Sequence, residues 1–128
     1  MKTLDYIVKL TTTPSPTGYT TEIMDYIQSE VESFGYQASK TPKGGILVTV
    51  PGTNEDQHRM VTAHLDTLGA MVRAIKADGR LKMDLVGGFG YPSIEGENCL
   101  IHVAKNGRTY TGTILMHQTS VHVYKDAS

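Results

Sequence analysis

Beyond residue 70 the sequence offers no helical periodicity, which restricts the second half of the chain to β structure. Ala70–Ala77, Arg80–Val86, Cys99–Ala104 and Thr109–Leu115 are short runs of β-type residues with alternation, punctuated by glycine. Asp78-Gly79 and Asn106-Gly107 each separate two such runs, and both dipeptides suit the positive-φ positions of a tight turn. Two hairpins are therefore expected. The first half reads differently, so a lobe boundary is expected near Thr67–Gly69, dividing the chain into 1–68 and 69–128.

In that first half, Leu4, Ile7 and Val8 share one face of a short helix over Thr3–Leu10, with Asp5 near its positive end. Thr11 to Gly18 carries two prolines and a glycine and cannot continue the helix, so the chain turns there. Thr20 or Thr21 then caps a longer helix whose apolar positions are Ile23, Ile27, Val31 and Phe34, and Gly35 is placed to end it. Tyr36–Ser39, Ile46–Val50 and Met60–His64 read as strands. Helix, helix, strand, strand, strand is the front of an α/β domain.

The most informative stretch within this frame is Val61 to Ala70, an apolar run ending in His64-Leu65-Asp66. Side chains alternate along an extended segment, so His64 and Asp66 project to one side and Leu65 to the other. Imidazole is a common ligand for zinc-like ions. A carboxylate two residues on can accept from the other ring nitrogen, fix the tautomer and raise ligand basicity. By itself the spacing equally fits a strand-end histidine with a local acceptor.

Size and charge exclude several classes of function. A chain of 128 residues accommodates one domain or two small lobes. A net charge of −1 argues against a nucleic-acid or anionic-membrane coat. Hydrophobic residues at 39% and charged residues at 20% describe a folded chain. No apolar run approaches the length of about 18 residues that marks a membrane span, and the early Asp5 does not fit a signal peptide; a cytoplasmic location is expected. Cys99 is the single cysteine, which rules out an internal disulfide and a thiolate zinc cluster, and it reads as a small buried strand residue.

The remaining chemistry-bearing residues read as ordinary. His102, His117 and His122 fall in the β half, and the odd spacing of the last two puts them on opposite faces of any continuous strand. His58 lies in a charged loop and carries no assigned role. Gly87-Gly88-Phe89-Gly90 lacks the Lys-Ser/Thr and the helix of a phosphate loop and reads as a bulge or turn. Ser15 and Ser93 have no nucleophile-elbow context.

Four segments together, in this order, resemble the beginning of metallopeptidase family 42, the glutamyl and tetrahedral aminopeptidases. They are Pro14-Ser15-Pro16-Thr17-Gly18-Tyr19, Ala63-His64-Leu65-Asp66, Leu68-Gly69-Ala70-Met71-Val72 and Gly87-Gly88. The resemblance implies an α/β catalytic domain, begun by 1–68, into which a PDZ-like β-barrel lobe, part or most of it in 69–128, is inserted. It implies a homo-oligomer built through that lobe, with peptides as substrates. It also implies a two-metal centre, zinc or cobalt, that hydrolyses N-terminal residues, with His64 as a metal ligand and Asp66 as its orienting catalytic carboxylate. Thr67 departs from the acidic residue that many members carry there, which bears on substrate preference. The family's further ligands follow the inserted lobe, so the chain is expected to be an N-terminal portion, inactive alone. The alternative is a non-catalytic β lobe that oligomerises or binds peptides through its strand edges.

Overall fold

The computed structural model describes residues 2–54, 56–115 and 122–123. Two compact units divide the chain, Met1–Gly88 and Phe89–Ser128. This division follows the first β hairpin of the second half, whereas the lobe boundary expected from sequence near residue 68 precedes it. Among the described residues the first unit contains two helices and two antiparallel hairpins, an α/β arrangement, and the second contains one hairpin preceded by a short 3-10 turn. Among the described residues the sheets remain separate two-stranded pairs and close no barrel.

Helix α1 spans Thr3–Thr12, two residues past its expected end. Thr11, Thr12 and Thr13 explain the extension, because their hydroxyls donate back to the carbonyls of Ile7, Val8 and Lys9 at 2.7–2.8 Å. These carbonyls, which also accept the helix's own N–H bonds, thereby gain a second donor from within the last turn. At the other end, Asp5 accepts from the backbone N–H of Lys2 at 2.8 Å. Helix α2 spans Thr21–Ser33 and stops at Phe34, where Gly35 takes φ +85°, the left-handed residue that the sequence pattern predicts. The Tyr6 hydroxyl donates to Glu30 at 2.8 Å and the Lys9 ammonium lies over the Tyr26 ring, so two polar links tie α1 to α2.

Strands β1 (Ala38–Lys40) and β2 (Ile46–Val48) form a short antiparallel hairpin, and Lys40 pairs with Asp25 on α2. Strands β3 (Gly69–Ile75) and β4 (Leu81–Val86) pair in antiparallel register with a bulge between Val72 and Ala74. In the second unit β5 (Asn98–Val103) pairs with β6 (Arg108–Thr113), and Cys99 is half-buried on β5. Both expected hairpins form, but with wider turns than a two-residue loop. Gly79 donates to the Lys76 carbonyl and Gly107 to that of Val103, and at each turn only the glycine has positive φ. Asp78 and Asn106 instead accept from the backbone N–H two residues on, which needs no left-handed backbone of them.

The expected strand Met60–His64 is a correction. Among the described residues no partner pairs with this segment; Met60 is 83% and Val61 95% exposed, and the bridge nearby is a parallel one between Pro16 and Thr67. An extended run becomes a strand only when a neighbour takes its N–H and C=O groups, and the β1–β2 hairpin does not offer that edge here. The expected apolar face of α1 is likewise exposed, with Leu4, Ile7 and Val8 all more than half accessible. Ile23 is the one buried hydrophobic side chain among the described residues, accompanied by buried Thr13 and Ser15.

The β3–β4 turn carries its own pH dependence. The side chain of Arg80, reinforced by its backbone N–H, holds the Asp78 carboxyl below its ordinary value of 3.8. A carboxyl lowered in the folded state contributes stability that is fully present above its ordinary value and is lost as pH falls through the lowered one. The Gly79 and Arg80 amides are therefore expected to exchange faster with solvent once the pH drops below the ordinary carboxyl range, after correction for intrinsic exchange. Asp78→Asn should abolish that pH dependence; an unchanged acid response in the variant would assign it elsewhere.

Candidate functional site

The site is built on a loop held by another loop. Residues 64–67 belong to no strand, and the Pro14–Gly18 segment between α1 and α2 fixes them. Ser15, fully buried, donates its hydroxyl to the Leu65 carbonyl at 2.7 Å, and its own carbonyl accepts from the Thr67 N–H at 2.9 Å. Gly69 permits this approach, since a Cβ there would lie 2.6 Å from Cβ of Pro16, whose ring cannot swing aside. The Pro14–Gly18 loop is itself turned back by a Tyr19 N–H to Pro16 carbonyl bond of 2.7 Å.

On this frame His64 and Asp66 meet on one side, and Leu65 between them is half-buried, as Asp66 is. His64 Nδ1 sits 3.1 Å from Asp66 Oδ1 and 3.3 Å from the Asp66 carbonyl. With both acceptors on that side, the proton belongs on Nδ1 and the lone pair on Nε2. The imidazole is 85% exposed and its open nitrogen can take a further partner.

Asp66 uses its second oxygen too. The Thr17 hydroxyl donates to Oδ2 at 2.6 Å, a short charge-assisted bond. That hydroxyl is the main reason the Asp66 carboxyl lies below its ordinary value; partial burial opposes the shift, and the His64 ring adds to it. Thr17, His64, Asp66, Thr67, Leu68 and Gly87 line an open cleft of about 560 Å³. The arrangement offers one neutral nitrogen donor, an anionic carboxylate behind it, and room beside both.

His58 is an exposed loop residue, and the structure brings it to no cluster. His102 lies on β5 in the second unit, with Nδ1 3.1 Å from the Thr109 hydroxyl across the strand pair, an ordinary cross-strand contact. His117 lies outside the described residues. No group of three or more His, Cys, Asp or Glu that could hold a metal exists among the described residues. No helix among them is long and apolar enough to cross a membrane. Sequence reasoning missed Thr17 and the buried Ser15 as parts of the site. The available signal was two hydroxyl residues alternating with prolines, a loop rigid enough to present them.

The sequence profile of a family described as M42 glutamyl aminopeptidase matches residues 44–128. The chain is 59% identical over 126 residues to YhfE of Bacillus subtilis (strain 168), named as an aminopeptidase; the match covers 98% of this chain and 36% of that protein. It is 34% identical over 98 residues to the glutamyl aminopeptidase of Lactococcus lactis subsp. cremoris (strain MG1363), covering 76% of this chain and 28% of that one. The chain spans about a third of the length of these curated relatives.

Proposed function

Because the chain belongs to the M42 glutamyl aminopeptidase family, we propose that it supplies part of the metal centre of an aminopeptidase that hydrolyses N-terminal residues from peptides. The observation that carries this reading is the 3.1 Å pairing of His64 Nδ1 with Asp66, which leaves Nε2 as the nitrogen for a metal. These residues fit one ligand and its orienting carboxylate. The described residues do not fit a complete two-metal centre, since no third ligand joins them; the other ligands are assigned to the remainder of a protein about three times as long. The 128-residue chain alone is therefore without activity in this reading.

When bound, divalent ions of the zinc or cobalt kind polarise a scissile carbonyl and lower the pKa of a bound water. This chain's own residues hold the imidazole in one tautomer, keep a carboxylate ionised behind it, and leave the cleft open on the Nε2 side. Residues 1–68 are assigned to the catalytic α/β domain and 69–128 to a PDZ-like β lobe through which copies associate. Exposed apolar residues at both levels, Met60 and Val61 in the first and Met71 and Ile75 in the second, support cover from elsewhere in the full-length assembly. Absence of a membrane-crossing helix among the described residues and the kinship with bacterial peptidases support a cytoplasmic location.

Metal removal tests the reading. Dialysis of the full-length protein against a chelator is expected to abolish release of N-terminal residues from a peptide, and zinc or cobalt should restore it. Undiminished hydrolysis in the metal-free protein would overturn the assignment.

A further inference from the structure

We propose that the Thr17 hydroxyl is a positioning group for the metal centre, acting through Asp66 to fix the orientation and tautomer of the His64 imidazole; this rests on the reading of His64 as a ligand. Little holds that ring. It is 85% exposed, and Asp66 supplies both of its polar contacts. The shorter of the two, at 3.1 Å against 3.3 Å for the backbone carbonyl, is to the Asp66 carboxylate, so the ring's direction depends chiefly on that group, whose terminal torsion is broad and roughly two-fold when unrestrained. A carboxylate bound at Oδ1 alone can pivot about that torsion. One bound at both oxygens to groups on different segments cannot.

Thr17 provides the second anchor, at 2.6 Å to Oδ2, from 49 residues away in sequence. The bond could instead serve merely to tie the loop down, but two other links already do so. Ser15 Oγ to Leu65, and Thr67 N–H to Ser15, the bond on which the Pro16–Thr67 bridge rests, flank Asp66 on both sides. The Pro14–Gly18 loop is thereby in place without the Thr17 hydroxyl, which is spent on the carboxylate oxygen opposite the one that meets His64. A chain of Thr17 O–H to Asp66, then Asp66 to His64 Nδ1–H, leaves the Nε2 lone pair aimed from a fixed ring.

The test uses the full-length protein with ¹⁵N-labelled histidine, metal-free, about two pH units above the ordinary imidazole value of about 6.5. Wild type is expected to give His64 nitrogen shifts of the tautomer protonated at Nδ1. Thr17→Val, which keeps the shape and removes the donor, should give averaged shifts of both tautomers and weaken zinc binding about tenfold, the low end for loss of a ligand-orienting partner. Thr17→Ser should restore both readouts. Thr17→Ala gives the same reading should the valine variant not fold. Wild-type nitrogen shifts in the variants that lack the hydroxyl would overturn the proposal, and so would failure of serine to rescue. Because the shifts are read without metal, they decide the role of Thr17 separately from the chelation result, which decides whether the centre is metallic.

Discussion

In the full-length protein, His64→Ala is expected to lower kcat/KM for N-terminal residue release by roughly 10³-fold and to remove metal from the purified enzyme, while the fold stays intact. The size follows from the role. A Lewis-acidic ion contributes several kcal/mol of transition-state stabilisation, and each 1.36 kcal/mol is about tenfold in rate. The intact fold follows from exposure. The ring is 85% accessible and its polar contacts are confined to Asp66, so its removal opens no cavity and orphans no buried group. Asp66 keeps its Thr17 donor in the variant. His58→Ala is the matched control, an exposed loop histidine with no place in the site, and should leave both metal content and rate unchanged. Wild-type metal content and activity in His64→Ala would remove this residue from the centre.

Local features of this fold are written in local sequence. Helix α2 ends where Gly35 predicts, and both glycine-containing turns reverse the chain, because each depends on residues within a few positions of one another. Turn type was less legible: Asp78 and Asn106 solve the reversal with side-chain hydrogen bonds rather than by adopting positive φ themselves. The strand expected over Met60–His64 was not legible as a failure, because an apolar extended run announces its own conformation but not whether another edge is available to it. The pairing of His64 with Asp66 was readable from two-residue alternation alone. Its support was not. Ser15 meets Leu65 and Thr17 meets Asp66 across about fifty positions of intervening chain, and only the folded path between α1 and Thr67 brings those groups together.

The same path makes a remote core residue matter to the site. Ile23→Ala is expected to destabilise the fold by about 2–5 kcal/mol, the range for truncating a fully buried isoleucine. Ile23 has no accessible surface and stands as the sole buried hydrophobic side chain among the described residues, so its truncation leaves an enclosed void. Ile7→Ala, on a side chain 53% exposed, should cost well under half as much and serves as the comparison. For a unit of this size each 1 kcal/mol lowers the melting temperature by about 4–8 °C, so thermal unfolding resolves the two variants easily; equal shifts would show that Ile23 is not the anchor its burial indicates. A functional consequence comes with the stability loss. Ile23 lies in the first turn of α2, and the loop that enters this helix is the one whose Ser15 and Thr17 hold residues 65 and 66. Loosening that turn frees the loop, so Ile23→Ala should weaken zinc binding and lower the melting temperature together. Thr17→Val should weaken zinc binding with little change in melting, because Ser15 and Thr67 still fasten the loop. The two variants thus separate the fastening of the loop from the aiming of the imidazole.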